Sequence, residues 1–108
     1  MNVHGAIEVV RFTGELDIGR RSELRDGLIV GEGARAVLLD LSAVTYADST
    51  ALSELLRFNA DAEAREMPVA MVVAAVQFER LMRYAGLYEV FNIFDDIGAA
   101  LTYLDGVS

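Results

Sequence analysis

The stretch AVLLDLSAVTYADSTALSELL, Ala36 to Leu56, decides how this chain is read. It opens on AVLLDL, a nearly unbroken apolar run of strand length, which reads as a central strand covered on both faces. The loop SAVTYAD follows, and then three small oxygen-bearing side chains, Asp48, Ser49 and Thr50, at the head of a leucine-rich run. One cap is enough to start a helix. The other two ask for a second explanation.

On either side of this stretch, apolar runs of strand length alternate with segments of helical period, the pattern of an α/β domain. IEVVRF (Ile7 to Phe12) reads as a strand, TGELD as a turn, and about Arg20 to Val30 as a helix that Gly27 weakens. The helix after the triplet is expected to run to about Glu66, because Pro68 cannot continue it. VAMVV (Val69 to Val73) is a further buried strand, and QFERLMRYAG a helix with Gly86 as its left-handed cap. VFNIF (Val90 to Phe94) is the fourth strand, and DDIGAALTYL a closing helix capped by Asp95. The expectation is one domain over residues 1–108, with a mixed sheet of four to five strands packed by about four helices.

The composition narrows the function. With 17 acidic against 9 basic residues the net charge is −8, so phosphate-backbone binding has little to work with, and neither nucleic acid nor an anionic membrane is an expected partner. A partner with a basic face is favoured. The chain has no cysteine, which excludes disulfides, a thiolate nucleophile and zinc-thiolate sites and suits a reducing cytoplasm. The longest apolar run, PVAMVVAAV, is far short of the ~20 residues that span a bilayer. His4, the only histidine, lies in the terminus and is read as solvent-exposed, without a catalytic or metal role. Phosphate-cradling glycine motifs are absent, and no metal or cofactor is implied.

A wheel turning by ~100° per residue separates the two hydroxyls of the triplet. Phe58, Ala51, Ala62, Leu55, Leu52 and Leu56 fall on one arc, with Asn59 inside it and Ser49 at its margin beside Leu56. Opposite lie Thr50, Ser53, Glu54, Arg57, Asp61 and Arg65. Ser49 is therefore expected to bond locally, and Thr50 to stand in solvent at the first turn. A phosphoryl group on Thr50 would meet unpaired amide hydrogens at the positive end of the helix dipole. An isolated D-S-T is still an ordinary helix start, and spacing alone does not change that.

The whole run VLLDLSAVTYADSTALSELL resembles the signature of the STAS family, whose founding members are bacterial anti-sigma factor antagonists. In that family a strand ending in D-L-S leads to D-S-[ST]-[GA]-L at a helix start. FTGELD (Phe12 to Asp17) is similar to the family's early G-E-L-D turn, and AGLYEVFNIFDDIGAALTYL to its usual ending, so the likeness covers most of the chain in motif order. It implies that Thr50 is the phosphoacceptor, that Asp48 and Ser49 frame it, and that Asp17 lies near the partner-binding face. Tyr46, in the same loop, is an aromatic anchor candidate. The partner-binding set is then Asp17, Tyr46, Asp48, Ser49, Thr50, Ser53, Glu54 and Arg57. Two departures stand out: threonine and alanine occupy positions 50 and 51 where many antagonists have serine and glycine, and the segment before GELD is short for the family's opening pair of strands.

The resemblance implies a cytoplasmic regulatory module and not an enzyme. Unphosphorylated, it captures an anti-sigma factor with serine/threonine kinase activity and so frees a sigma factor; phosphorylation on Thr50 ends the capture, and a protein phosphatase restores it. The molecule is expected as a monomer or weak dimer. Two alternatives remain open: a STAS scaffold or transporter-accessory domain that is never phosphorylated, and a small phosphate- or nucleotide-binding enzyme, which lacks a base, a metal set and a nucleophile–base pair.

Overall fold

The computed structural model describes residues 6–30 and 33–107. His4 and the start of the opening segment lie outside the described residues. In chain order the elements are β1 (Ala6–Leu16), a 3-10 turn (Ile18–Arg20), α1 (Arg21–Gly27), β2 (Ala34–Ala47) and α2 (Ser49–Ala64). They continue with β3 (Val69–Val73), α3 (Val76–Tyr84), a second 3-10 turn (Leu87–Glu89), β4 (Ile93–Phe94) and α4 (Ile97–Val107).

The strands form one sheet in the order β1-β2-β3-β4, and every described pairing is parallel. The α/β architecture with four strands and four helices is as expected, but the sheet is parallel rather than mixed. A helical crossover separates each strand from the next, and such a connection returns the chain in the same direction, whereas antiparallel neighbours would need a hairpin. Along β2 and β3 the side chains alternate between two cores. Val37, Leu39, Leu41, Val69, Met71 and Val73 face α1, α2 and α3, in a core that also holds Leu24, Leu55, Phe58, Phe78 and Met82. Ala36, Leu38, Ala70 and Val72 face α4 through Ala100 and Leu104. AVLLDL is thus covered on both faces, as its unbroken apolar run requires.

Several boundaries differ from the sequence reading. β1 does not stop at Phe12 but runs through TGEL to Leu16, with register shifts between Arg11 and Thr13 and between Gly14 and Glu15. Gly14 has φ 78°, a left-handed conformation that suits glycine and lets the strand bend without ending. β2 likewise absorbs the expected loop and extends to Ala47, because β1 supplies a partner strand along that whole length. β4 shrinks to Ile93–Phe94: the amides of Val90 and Phe91 bond back to the Leu87 carbonyl and so belong to the preceding turn. Asp96, not Asp95, caps α4, its Oδ1 accepting from the Ala99 amide at 2.8 Å. α1 ends at Gly27, and the Phe12 ring packs onto that residue: a Cβ there would lie 2.6 Å from Cζ of the ring, so the position takes glycine.

Candidate functional site

The two motifs that looked most informative in the sequence meet at the carboxyl end of the sheet. Glu15 pairs with Tyr46 and Leu16 with Ala47 in the β1–β2 register, which sets GELD beside YADST. Asp48 then joins four backbone groups. Its Oδ1 accepts from the amides of Thr50 (2.9 Å) and Ala51 (3.2 Å), its Oδ2 accepts from the Ile18 amide (3.2 Å), and its own amide donates to the Leu16 carbonyl (3.1 Å). Asp17 finishes the neighbouring turn, its Oδ1 accepting from the Gly19 amide at 2.9 Å. A third element closes the corner. The Gln77 side chain at the start of α3 grips both backbone groups of Ala47, donating to its carbonyl at 2.9 Å and accepting from its amide at 3.0 Å.

On this braced corner Ser49 is exposed and Thr50 half-buried, the reverse of the wheel's ranking. Helical Cα–Cβ bonds tilt toward the N-terminus, so the side chain of the first residue projects past the helix end whatever its wheel angle. Thr50 keeps partial access to solvent. The amide hydrogens of Thr50 and Ala51 are not unpaired, since Asp48 already holds both. A phosphoryl group on Thr50 would therefore gain from the helix dipole but face the Asp48 carboxylate.

Tyr46 is 43% exposed next to this corner, and Ser53, one turn along α2, donates its hydroxyl to the Ser49 carbonyl at 3.1 Å. Arg57 lies on the exposed side of α2, two turns from Thr50. Glu54 is the exception. The wheel set it in solvent, yet its side chain is only 2% exposed, while Leu56 on the supposed apolar arc stands 39% exposed. The reason is α1, which packs along α2 and brings two guanidiniums to Glu54: Arg25 Nη2 at 2.8 Å and Arg21 Nε at 3.1 Å. The hydrogen bond from Arg25 is the largest influence on its carboxyl; burial opposes it, and Arg21 and the charges of Arg25 and Arg57 add to it, so that the pKa falls from 4.5 to about 2.

Within AVLLDL itself lies a second buried carboxylate, Asp40. Burial pushes its carboxyl up, but the hydroxyl and amide of Ser42 (2.6 and 3.1 Å) and Arg11 Nε (2.8 Å) outweigh that and hold it below its ordinary value. The D-L-S element thus closes a local ring behind the site, within one strand and its neighbour.

Sequence reasoning missed Gln77 and the pair Arg21 and Arg25. A lone glutamine near a helix start carries no recognisable signal. The arginines did carry one: four residues apart they share a helix face, and two cations on one face of a short helix call for an acid opposite. Among the described residues no group of three His, Cys, Asp or Glu side chains could hold a metal ion, and no helix is long and apolar enough to cross a membrane.

A parallel sheet wrapped by four helices, with D-S-T at the start of α2 pinned to the G-E-L-D turn, defines a class. Residues 1–100 match the STAS domain, and the chain belongs to that family. Its particular relatives include the anti-sigma-F factor antagonist RsfB of Mycobacterium tuberculosis, 26% identical over 105 residues that make up 95% of this chain and 85% of that protein. The crystal structure of an anti-sigma factor antagonist from Mycobacterium paratuberculosis superposes with TM-score 0.82 at 25% identity, covering 90% of this chain and 84% of the other. A sulfate transporter family protein from Wolinella succinogenes shares the fold at TM-score 0.76 and 20% identity, over 94% of this chain and 86% of its own.

Proposed function

We propose that this STAS domain is an anti-sigma factor antagonist working as a partner switch. With Thr50 unmodified, the corner formed by Asp17, Tyr46, Asp48, Ser49, Thr50, Ser53 and Arg57 docks an anti-sigma factor with serine/threonine kinase activity and thereby frees a sigma factor. Glu54 serves this surface from beneath by holding α1 against α2. Phosphorylation on Thr50 ends the docking, and a protein phosphatase reverses it. The observation that carries this reading is the bracing of the triplet: β1, the first 3-10 turn and α3 all bond to Ala47 or Asp48, immediately before a partly accessible hydroxyl. Such rigidity suits a surface that is recognised in one geometry. The two antagonist relatives support the same role.

A second reading has its own observation. The same fold occurs in a sulfate transporter family protein, and a scaffold or transporter-accessory domain would use this corner for docking with Thr50 never modified. Incubation with ATP and the captured kinase separates them: one phosphate on the wild type and none on Thr50→Ala supports the switch. Phosphate that survives Thr50→Ala and disappears in Ser49→Ala moves the acceptor to the more exposed hydroxyl. No phosphate on either, despite capture, leaves the scaffold.

A further inference from the structure

Along α2 from its middle to its end, a groove of about 280 Å³ opens between that helix and the segment that follows α1. Leu28, Ile29, Phe58 and Met67 supply its apolar wall, and Ile29 is left 72% exposed. Its charged lining is unlike the rest of the chain. Three arginines, Arg25, Arg57 and Arg65, stand there against two carboxylates, Glu54 and Asp61, whereas the whole chain carries −8. Arg25 is committed to Glu54. Arg57 and Arg65 each make no ion pair within 4 Å among the described residues, although Asp61 sits midway between them on the helix.

Residues 57, 61 and 65 are spaced four apart and so line one stripe of α2 and its C-cap. A rim that carries two arginines to one aspartate, beside an apolar wall, is complementary to a ligand with a single negative end and a short apolar body. At ~30 Å³ per water the volume matches about nine water molecules, enough for roughly ten non-hydrogen atoms and far too little for a folded partner's anchor helix. The geometry points to a binding site for a small amphiphilic carboxylate of about eight carbons, its chain against Ile29, Phe58 and Met67 and its carboxylate on the guanidinium of Arg57 or Arg65, to one side of Asp61. This site shares Arg57 with the proposed docking corner but does not include Thr50, and it does not rest on the proposed partner switch.

The probe is sodium octanoate, titrated into the ¹⁵N-labelled 108-residue chain and followed by amide chemical shifts, with hexanoate and octylammonium in parallel. Octanoate is expected to give saturable shifts around residues 28–30 and 57–67 with a Kd on the order of a millimolar, as befits so few atoms. Hexanoate should bind several-fold more weakly and octylammonium without saturation. The double variant Arg57→Gln/Arg65→Gln is expected to weaken octanoate at least about tenfold, and Ile29→Asp, at a position too exposed to be needed for folding, to abolish it. Arg80→Gln on α3, which removes a charge outside the groove, should bind as the wild type does. Octylammonium binding as well as octanoate, an unchanged Kd in the double variant, shifts scattered over the surface, or a groove that answers only to an acidic amphipathic peptide would each overturn the assignment.

Discussion

The two ends of α2 are finished in opposite ways. At its start, Asp48 and Ala47 are tied by side-chain or backbone hydrogen bonds to β1, to the first 3-10 turn and to α3. At its finish, the Glu66 amide bonds to the Glu63 carbonyl and the Met67 amide to the Ala62 carbonyl, so the closure stays within the helix itself. The first end uses polar bonds to fix a position relative to the whole domain. The second merely stops the chain, and does so with a glutamate at φ 56°. Positional precision is concentrated where the proposed docking surface lies, while local strain is tolerated at the end of α2 away from it.

The largest expected effect breaks that contrast at the presented end. Phosphorylation of Thr50 adds about −1.5 to −2 charges and three acceptor oxygens. The helix dipole favours the added charge by ~0.3 to 1 kcal/mol, and the Asp48 carboxylate opposes it, so the free domain should keep its Tm within a few degrees. Affinity for the unmodified-state partner should fall by about a hundredfold, about 3 kcal/mol. Calorimetric titration of both forms beside their thermal melts checks this; equal affinities would remove Thr50 as the switch.

Next comes the cap. Asp48→Ala orphans the amides of Thr50, Ala51 and Ile18 together, and should cost about 2 kcal/mol, about 10 °C in Tm. If precision lies in the bracing and not in the helix start alone, Gln77→Ala should lower partner affinity while costing only about 1 kcal/mol of stability. A Gln77→Ala domain that binds at full strength would show that the bracing serves folding alone.

The middle of α2 gives the third test. Because the carboxyl of Glu54 is held near 2, below its ordinary 4.5, its contribution is complete above about pH 4.5 and is lost as the pH falls toward 2. Its arginines are about half exposed, which limits the loss in Glu54→Gln to about 1.5 kcal/mol at neutral pH. Urea unfolding of both forms from pH 6 to pH 2.5 should converge at the acid end. Parallel curves would mean that another carboxylate, with Asp40 first in line, carries the acid sensitivity.

The sequence revealed these regions unequally. AVLLDL and VAMVV were legible because a strand buried on both faces must be apolar throughout, and Gly86 because a left-handed helix end favours glycine; it has φ 75°. The meeting of GELD with YADST was legible only through family resemblance, since nothing local says that residues thirty apart share a hydrogen bond. Glu54 was misread because a wheel sees one helix and not the arginines that a neighbouring helix carries to it. The long tail of β2 was misread for a related reason: SAVTYA lacks an apolar period, and what makes it a strand is β1 alongside.

The smallest effect sharpens the comparison at the far end of α2. Glu66 occupies the left-handed position of a closure in which the bonds from Glu66 to Glu63 and from Met67 to Ala62 are both made, the arrangement that normally selects glycine. An L side chain there meets its own carbonyl at a cost of about 1 kcal/mol, which glycine avoids, although glycine also adds freedom to the unfolded chain. Glu66→Gly should therefore raise stability by about 0.5 kcal/mol, and also trim one negative charge from a chain at −8. Partner affinity should be untouched, because the turn is at the end of α2 opposite the braced corner. Urea unfolding with unchanged m-value, paired with the same calorimetric titration, checks both parts. A gain in stability accompanied by weaker docking would mean that the strain at Glu66 is transmitted along α2 to Thr50, and the two ends would then have to be treated as one coupled element.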